Sequence, residues 1–260
     1  MSHSVDKPKA AAGTTVKARA AFPDTRWTLV LAAGKGETIG DGRAALESLC
    51  RAYWYPVYAF IRRCGHPAEQ AEDLTQEFFL RVLSGTFLSR ATPEKGRFRS
   101  FLLGAVKHFL ADASDRQRAL KRGGGLEHLA MDFQDGDMRY LREPVSEETP
   151  ERIFHRKWAK TVLGRVMTDL REEFVAEGKL DQFKRLKGYL SGSGEVKYAE
   201  VARDMQTTET ALKSSIQRLR RRYRDLLRAE VAETVADASE VDGELRFLLG
   251  ALSTREVEAH

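Results

Sequence analysis

Polar and basic side chains gather on one face of a predicted helix between residues 208 and 228. This segment holds seven basic residues and two acidic residues. Its apolar residues recur three and four positions apart, which is the spacing of one buried helical face. The opposite face carries Thr210, Lys213, Ser214, Gln217, Arg218 and Arg221. Because few acids are available to pair with these bases, we expect the face to bind an anion on another molecule.

The residues before this helix complete the pattern of a helix-turn-helix. The sequence YAEVARDM predicts a short helix, Gln206 and Thr207 form the turn, and Thr208 can cap the second helix. In such a motif the second helix enters the major groove, where Arg, Lys and Gln contact bases and hydroxyl groups contact phosphates. Gln206 holds a turn position that is usually Gly, because φ is often positive there. A helical hairpin packed inside a larger bundle is the alternative.

Two earlier predicted helices carry opposite charges. The segment AEQAEDLTQEFFLRVL has four acids, Glu69, Glu72, Asp73 and Glu77, against one base. Between residues 95 and 122 there are eight bases and two acids, with three phenylalanines interleaved. Two of the phenylalanines share the apolar stripe of their helix, so we expect all three to fill the core. The polar faces of the two helices therefore suit partners of opposite charge.

The elements that must position these faces are helices throughout. No strand-like alternation competes with the helical spacing, which predicts an all-α protein of two helical domains joined by an acidic linker. The predicted limits are 1–22 for a disordered tail, 23–122 for the first domain, 123–150 for the linker, 151–235 for the second domain and 236–260 for a C-terminal tail. Residues 34–42 are predicted to form a loop, Pro56 to kink a helix and Gly65 to end it.

Composition excludes several classes of function. The formal net charge of +5 favours a polyanionic partner, and no apolar run approaches the roughly 18 residues that span a bilayer. The N-terminus lacks the apolar core of a secretory signal, so a cytoplasmic location without membrane contact is expected. Cys50 and Cys64 would lie about 21 Å apart on one helix, too far for a disulfide. We find no metal-ligand spacing, phosphate-binding loop or local catalytic set, and expect neither cofactor nor enzymatic activity.

Taken together, these segments resemble the extracytoplasmic-function (ECF) group of bacterial RNA polymerase sigma factors. The segment RAYWYPVYAFIRRCGHPAEQAEDLTQEFFLRVL is similar to the first two helices of sigma region 2, and FRSFLLGAVKHFLADASDRQRALKR to its promoter-facing helix. The segment YAEVARDMQTTETALKSSIQRLRRRYRDLL is similar to region 4. The closing EVDGELRFLLGALS resembles a tail found in a branch common in planctomycete-like bacteria. The resemblance covers residues 22–252.

The resemblance implies a partner for each polar face. The chain would bind core RNA polymerase, at the β′ clamp and the β flap, and promoter DNA. Clamp contacts would come from Glu72, Asp73, Gln76 and Glu77. Region 2 would melt the promoter element near minus ten, with Arg97, Arg99, Lys107, His108, Asp112, Arg116 and Arg118 as DNA contacts. Region 4 would read the element near minus thirty-five with Thr208, Thr210, Lys213, Ser214, Gln217, Arg218, Arg221 and Arg222. The acidic linker would run along the polymerase.

The alternative function is a helix-turn-helix regulator that binds DNA but does not engage polymerase. Direct binding to core polymerase distinguishes the two hypotheses. The sequence leaves open whether an anti-sigma factor, a protein kinase or the C-terminal tail controls the protein.

Overall fold

The structure, a computed structural model, describes residues 26–34, 39–84, 97–119, 140–141, 148–190 and 198–253. The predicted disordered tail and most of the predicted linker lie outside these ranges. The helices are α1 (Arg26–Gly34), α2 (Ile39–Arg63), α3 (Ala68–Leu83), α4 (Phe98–Ala119), α5 (Pro150–Ala176), α6 (Leu180–Leu186), α7 (Tyr198–Asp204), α8 (Glu209–Ala232) and α9 (Val241–Leu252). Short 3₁₀ turns span Lys187–Leu190 and Ala238–Glu240. Within the described residues no strand forms, which confirms the all-α fold class.

Local signals set several helix ends. The side chain of Thr208 accepts a hydrogen bond from the backbone N–H of Ala211 at 3.1 Å, which confirms the predicted cap of α8. Thr149 caps α5 in the same way through Arg152 N–H. Gly65 follows α2 with a φ of +97°, and Gln206 has the predicted positive φ, at +50°.

The predicted loop over residues 34–42 is wrong at both ends. Gly34 still belongs to α1, and α2 already begins at Ile39, so only residues 35–38 separate the two helices. Glycines lower helix propensity by only about 1 kcal/mol each. Burial of Leu46 and Leu49 in the core outweighs that cost and extends α2 towards its N-terminus. Pro56 lies inside α2, which continues to Arg63.

The larger hydrophobic core crosses the predicted linker. It contains residues of α1 to α4 together with Phe154 and Trp158 of α5, Val231 of α8 and Leu248 of α9. The indole N–H of Trp158 donates a hydrogen bond to the hydroxyl of Tyr53 at 2.5 Å. The predicted domain limits stay a prediction, but the hydrophobic core does not divide at the linker.

Backbone hydrogen bonds add to this connection at the end of α8. The N–H of Trp27 in α1 donates to the carbonyl of Glu233 at 3.1 Å, and the N–H of Phe98 in α4 donates to the carbonyl of Thr234 at 2.9 Å. An isolated bridge joins Arg97 to Val235. The first turn of α4 is therefore held against the segment that follows α8.

A smaller core supports the helix-turn-helix. It joins the second half of α5 to α6, α7 and α8 through Leu170, Phe183, Leu186, Tyr189, Ala202, Leu212, Ile216 and Leu219. The small side chain of Ala202 is buried where α7 packs on α8. Among the helices of the described ranges, none has the length and apolar character needed to cross a membrane.

Candidate nucleic-acid and polymerase interfaces

The buried side chains of α8 fix which of its faces meets solvent. Leu212, Ile216 and Leu219 are at most 2% exposed, so the rotation of the helix is set by the smaller core. The polar residues predicted for the opposite face are all exposed: Thr210, Lys213, Ser214, Gln217, Arg218 and Arg221. The predicted geometry of this face is confirmed, while its contacts with DNA stay a prediction.

The contacts among these exposed residues are local. The hydroxyl of Ser214 donates to the carbonyl of Thr210 at 3.0 Å, and Arg218 donates to the hydroxyl of Ser215 at 3.1 Å. The Lys213 ammonium lies 3.9 Å from the Glu209 carboxylate. Exposed pairs of this kind contribute little free energy, so these side chains can turn towards a ligand at small cost.

Two arginines of α8 brace the motif. Arg222 donates two hydrogen bonds to the Glu173 carboxylate on α5, at 2.8 and 2.5 Å. The hydrogen bond from Arg222 lowers the pKa of Glu173 below its usual range. Arg220 donates two hydrogen bonds to the carbonyl of Tyr189, at 3.2 and 3.0 Å. Of the two arginines predicted to contact DNA at this end of the helix, Arg222 is engaged with α5 and Arg221 is exposed to solvent.

The acidic helix α3 exposes its carboxylates on the side away from the core. Ala71, Leu74 and Phe78 are buried, which turns Asp73 to solvent and leaves Glu72, Gln76 and Glu77 partly exposed. Glu77 accepts a hydrogen bond from Arg81 at 2.5 Å, one helical turn along. The guanidinium of Arg81 also lies 5.3 Å from the ring centre of Phe109. The four predicted polymerase contacts thus share one face, and one of their charges is partly balanced within the helix.

The exposed side of α4 presents part of the predicted DNA-binding set. Lys107, His108 and Asp112 are exposed, while Phe98, Phe101 and Phe109 are buried as expected. The Lys107 ammonium lies 2.6 Å from the Glu151 carboxylate of α5. A ring nitrogen of His108 lies 2.7 Å from the carbonyl oxygen of Gly104. Arg116 and Arg118 belong to α4, and their side chains lie outside what the structure describes.

The two arginines that begin α4 are engaged with the C-terminal helix. Arg99 is 5% exposed and donates two hydrogen bonds to the Glu244 carboxylate of α9, at 2.5 and 3.0 Å. Its guanidinium also lies 3.5 Å from the ring centre of Phe247. A guanidinium nitrogen of Arg97 lies 3.3 Å from Glu244. In this conformation Arg99 is closed to DNA, so its predicted role requires α9 to move.

Two further ionisable groups on α5 have perturbed pKa values. Burial and, to a smaller extent, the charge of Arg99 lower the pKa of His155 to about 4. Burial also lowers the pKa of Lys157 to about 8, with a smaller contribution from Lys160. Lys157 is 2% exposed, and its ammonium faces the ring of Tyr55 at 5.5 Å from the ring centre.

Metal coordination finds no support in the described part of the chain. No group of three or more His, Cys, Asp or Glu side chains there is arranged to hold a metal ion. Cys50 is buried and Cys64 is exposed, both as free thiols.

Comparison with known proteins relates one segment of the chain to a known family. Residues 49–120 match the family model of sigma-70 region 2. This segment, which includes α3 and α4, is similar to sigma-70 region 2. It is also similar to the ECF RNA polymerase sigma factor SigE of Mycolicibacterium smegmatis, with 26% identity over 223 residues, which covers 84% of this chain and 77% of the relative. No solved structure matches the chain. The two matches support a sigma factor of the ECF group that directs transcription initiation.

The residues that match the region 2 model include both α3 and α4, so the acidic face and the first basic helix fall within the same match. The helix-turn-helix lies outside the residues that match the region 2 model, so its assignment to region 4 stays a prediction.

The sequence analysis did not identify Glu244 as a partner of Arg99, although a signal was present. Glu244 stands three positions after Val241 and four before Leu248, both of which are buried. An acid on an apolar face needs a cationic partner when the face is buried. The sequence could not identify Arg99 as that partner, because 145 positions separate the two residues.

Proposed function

We propose that the chain binds core RNA polymerase through α3 and promoter DNA through α4 and α8. The observation that carries the proposal is the exposure, on one chain, of an acidic face within region 2 and a basic face on a recognition-type helix. A DNA-binding regulator needs the second face only. A sigma factor needs both, because it must hold the polymerase and the promoter together.

The α3 surface suits a basic partner. Asp73 is exposed, and Glu72, Gln76 and Glu77 flank it along the same side of the helix. We assign this surface to the β′ clamp of the polymerase, on the resemblance of the α3 segment to the polymerase-docking helix of sigma region 2. A contact at the β flap is proposed for region 4 on the same ground.

The α8 surface suits the major groove. Lys213 and Gln217 lie one turn apart near the N-terminal end, which approaches base edges in helix-turn-helix complexes. Arg221 lies a further turn along, where the helix leaves the groove and meets phosphate. Thr208 caps the helix with its hydroxyl oxygen, so we assign it to positioning of the motif as well as to phosphate contact.

Location, the C-terminal tail and regulation are inferred from the sequence and from the proposed partners. A cytoplasmic location follows from a partner that acts on chromosomal DNA. The C-terminal tail is assigned to a planctomycete-like branch on its sequence alone, and an anti-sigma factor or a protein kinase is kept as a candidate regulator. We propose no catalytic role for any residue.

Transcription with purified components tests the proposal. The chain and core polymerase together should give discrete transcripts from a library of promoter fragments, and neither should do so alone. Asp73→Lys should weaken binding to core by about tenfold, because it places a base against a basic clamp. Glu172→Lys on α5, which makes the same charge change at another exposed acid, is the control. A chain that binds promoter DNA but never core polymerase would instead be a regulator.

A further inference from the structure

The C-terminal helix α9 places a carboxylate among the arginines at the start of α4. Glu244 is fully buried, although glutamate is almost never fully buried unless it is paired. Both hydrogen bonds from Arg99 and the ion pair with Arg97 converge on its two oxygens. Arg99 cannot meet a second anion while Glu244 occupies this position, and Arg97, which is less buried, pairs with Glu240 at 3.9 Å as well.

Phe247 and Gly243 complete the site on the same helix. The Phe247 ring stacks on the Arg99 guanidinium, and Trp158 lies on the same guanidinium at 5.4 Å from its ring centre. Gly243 lets Arg97 approach the helix backbone, because a Cβ built there would lie 3.2 Å from the Arg97 guanidinium. The carboxylate of Glu244, the ring of Phe247 and the backbone at Gly243 thus all contact the same pair of arginines.

A DNA strand offers the same chemistry. Its phosphates are anions that accept hydrogen bonds from arginine, and an unstacked base is a flat ring that stacks on a guanidinium plane. The carboxylate of Glu244 and the ring of Phe247 therefore occupy the positions that a phosphate and a base would need at Arg99.

We propose that α9 competes within the chain with single-stranded DNA for Arg97 and Arg99, and that Glu244 keeps this part of region 2 closed in the free protein. The inference rests on the proposed role of α4 in DNA binding. Promoter DNA would open the site by replacing Glu244 at the arginines.

The contacts that hold α9 would allow DNA to displace it. The helix has twelve residues, too few to be stable alone, so it exists only while docked. Val241 and Leu248 are its buried apolar side chains, Leu245 and Phe247 are only partly buried against the core, and Leu249 is 55% exposed. Asp242 pairs with Arg228 at the surface, where solvent weakens the interaction. The buried charge pair is therefore a main determinant of whether α9 stays in place.

Glu244→Gln in the full chain tests the proposal, because it keeps the size of the side chain and removes the anion. The probe is a fluorescent single-stranded DNA oligonucleotide of random sequence, and the control is Asp242→Asn, which removes a neighbouring carboxylate that faces Arg228. The apparent affinity of a partly closed site falls with the fraction of open molecules, so we expect Glu244→Gln to bind DNA about tenfold more tightly than wild type. Asp242→Asn should change the affinity little.

Hydrogen exchange of the α9 amides provides a second measurement. Exchange should be faster in Glu244→Gln than in wild type. Saturating DNA should also accelerate it in wild type, because competition between two ligands for one site is reciprocal. Should Glu244→Gln not fold, Gly243→Gln replaces it, since that side chain projects into Arg97. Gly250→Gln on the same helix is its control, because a Cβ there meets nothing within 4 Å.

The outcomes separate this inference from the proposed function. If a folded variant shows faster hydrogen exchange in α9 but the same DNA affinity as wild type, α9 does not compete with DNA. That conclusion would hold even if the wild-type chain supports transcription with core polymerase. Unchanged α9 exchange in wild type at saturating DNA would overturn it as well. A wild-type chain that never binds core polymerase would instead refute the proposed function.

Discussion

Acid should destabilise the packing of α9 on α5, because burial makes His155 harder to protonate and lowers its pKa to about 4. The imidazole packs edge-on against the Phe247 ring of α9, with ring centres 4.9 Å apart, and against Phe154. Burial is the main cause of its low pKa, and the nearby charges of Arg99 and Lys107 act in the same direction. The carboxylate of Glu151 opposes them.

The sign and size of the effect follow from the pKa in the two states. The folded pKa is about 4 and the unfolded pKa is 6.5, so the unfolded chain binds more protons between these values. Stability is retained above pH 6.5 and is lost as the pH falls towards 4. With this difference in pKa, the unfolding free energy should fall by about 2 kcal/mol between pH 7 and pH 5. Because the ring is only half-buried, we expect about 1–2 kcal/mol.

Urea unfolding of wild type and His155→Phe at both pH values measures this difference. The phenyl ring keeps the aromatic packing and cannot be protonated, so the variant should lose about 1–2 kcal/mol less than wild type on acidification. The exposed His108, replaced by Gln, is the control and should follow wild type. Equal losses in wild type and His155→Phe would refute the reasoning.

Two further predictions concern the basic helix and the larger core. Gln217→Ala should change base preference at one or two positions of the upstream promoter element, by about 1–3 kcal/mol. Arg221→Ala should instead weaken binding to all promoters alike and reduce the slope of log affinity against log salt concentration by about one. Holoenzyme binding to promoter variants at several salt concentrations distinguishes them, and a change of base preference in Arg221→Ala would contradict the placement of α8. Lys157→Met should raise the free energy of unfolding by about 1–3 kcal/mol at neutral pH, because wild type must bury an ammonium. The gain in unfolding free energy should shrink as the pH rises above about 8, because the folded wild-type lysine loses its proton there. Urea unfolding at several pH values measures the gain, and a gain that is independent of pH would exclude this explanation.

The sequence by itself determined the local structure of the helix-turn-helix. The apolar residues Leu212, Ile216 and Leu219 recur at helical spacing, and that periodicity decides which face is exposed wherever the helix packs. Thr208 caps α8 and Gln206 takes the positive φ, because both features depend on neighbouring backbone groups only. The opposite charges of α3 and α4 are likewise properties of composition.

The partners of the arginines were decided by the tertiary structure. Arg222 and Glu173 are 49 positions apart, and Arg99 and Glu244 are 145 positions apart. A long charged side chain can pair with any opposite charge that packing brings near, and sequence spacing carries no information at these separations. The same packing extended α2 into a segment rich in glycine, where local propensity favours a loop. Whether an arginine of α4 faces DNA or a buried carboxylate thus depends on where the C-terminal helix docks, because only the folded chain brings that helix to α4.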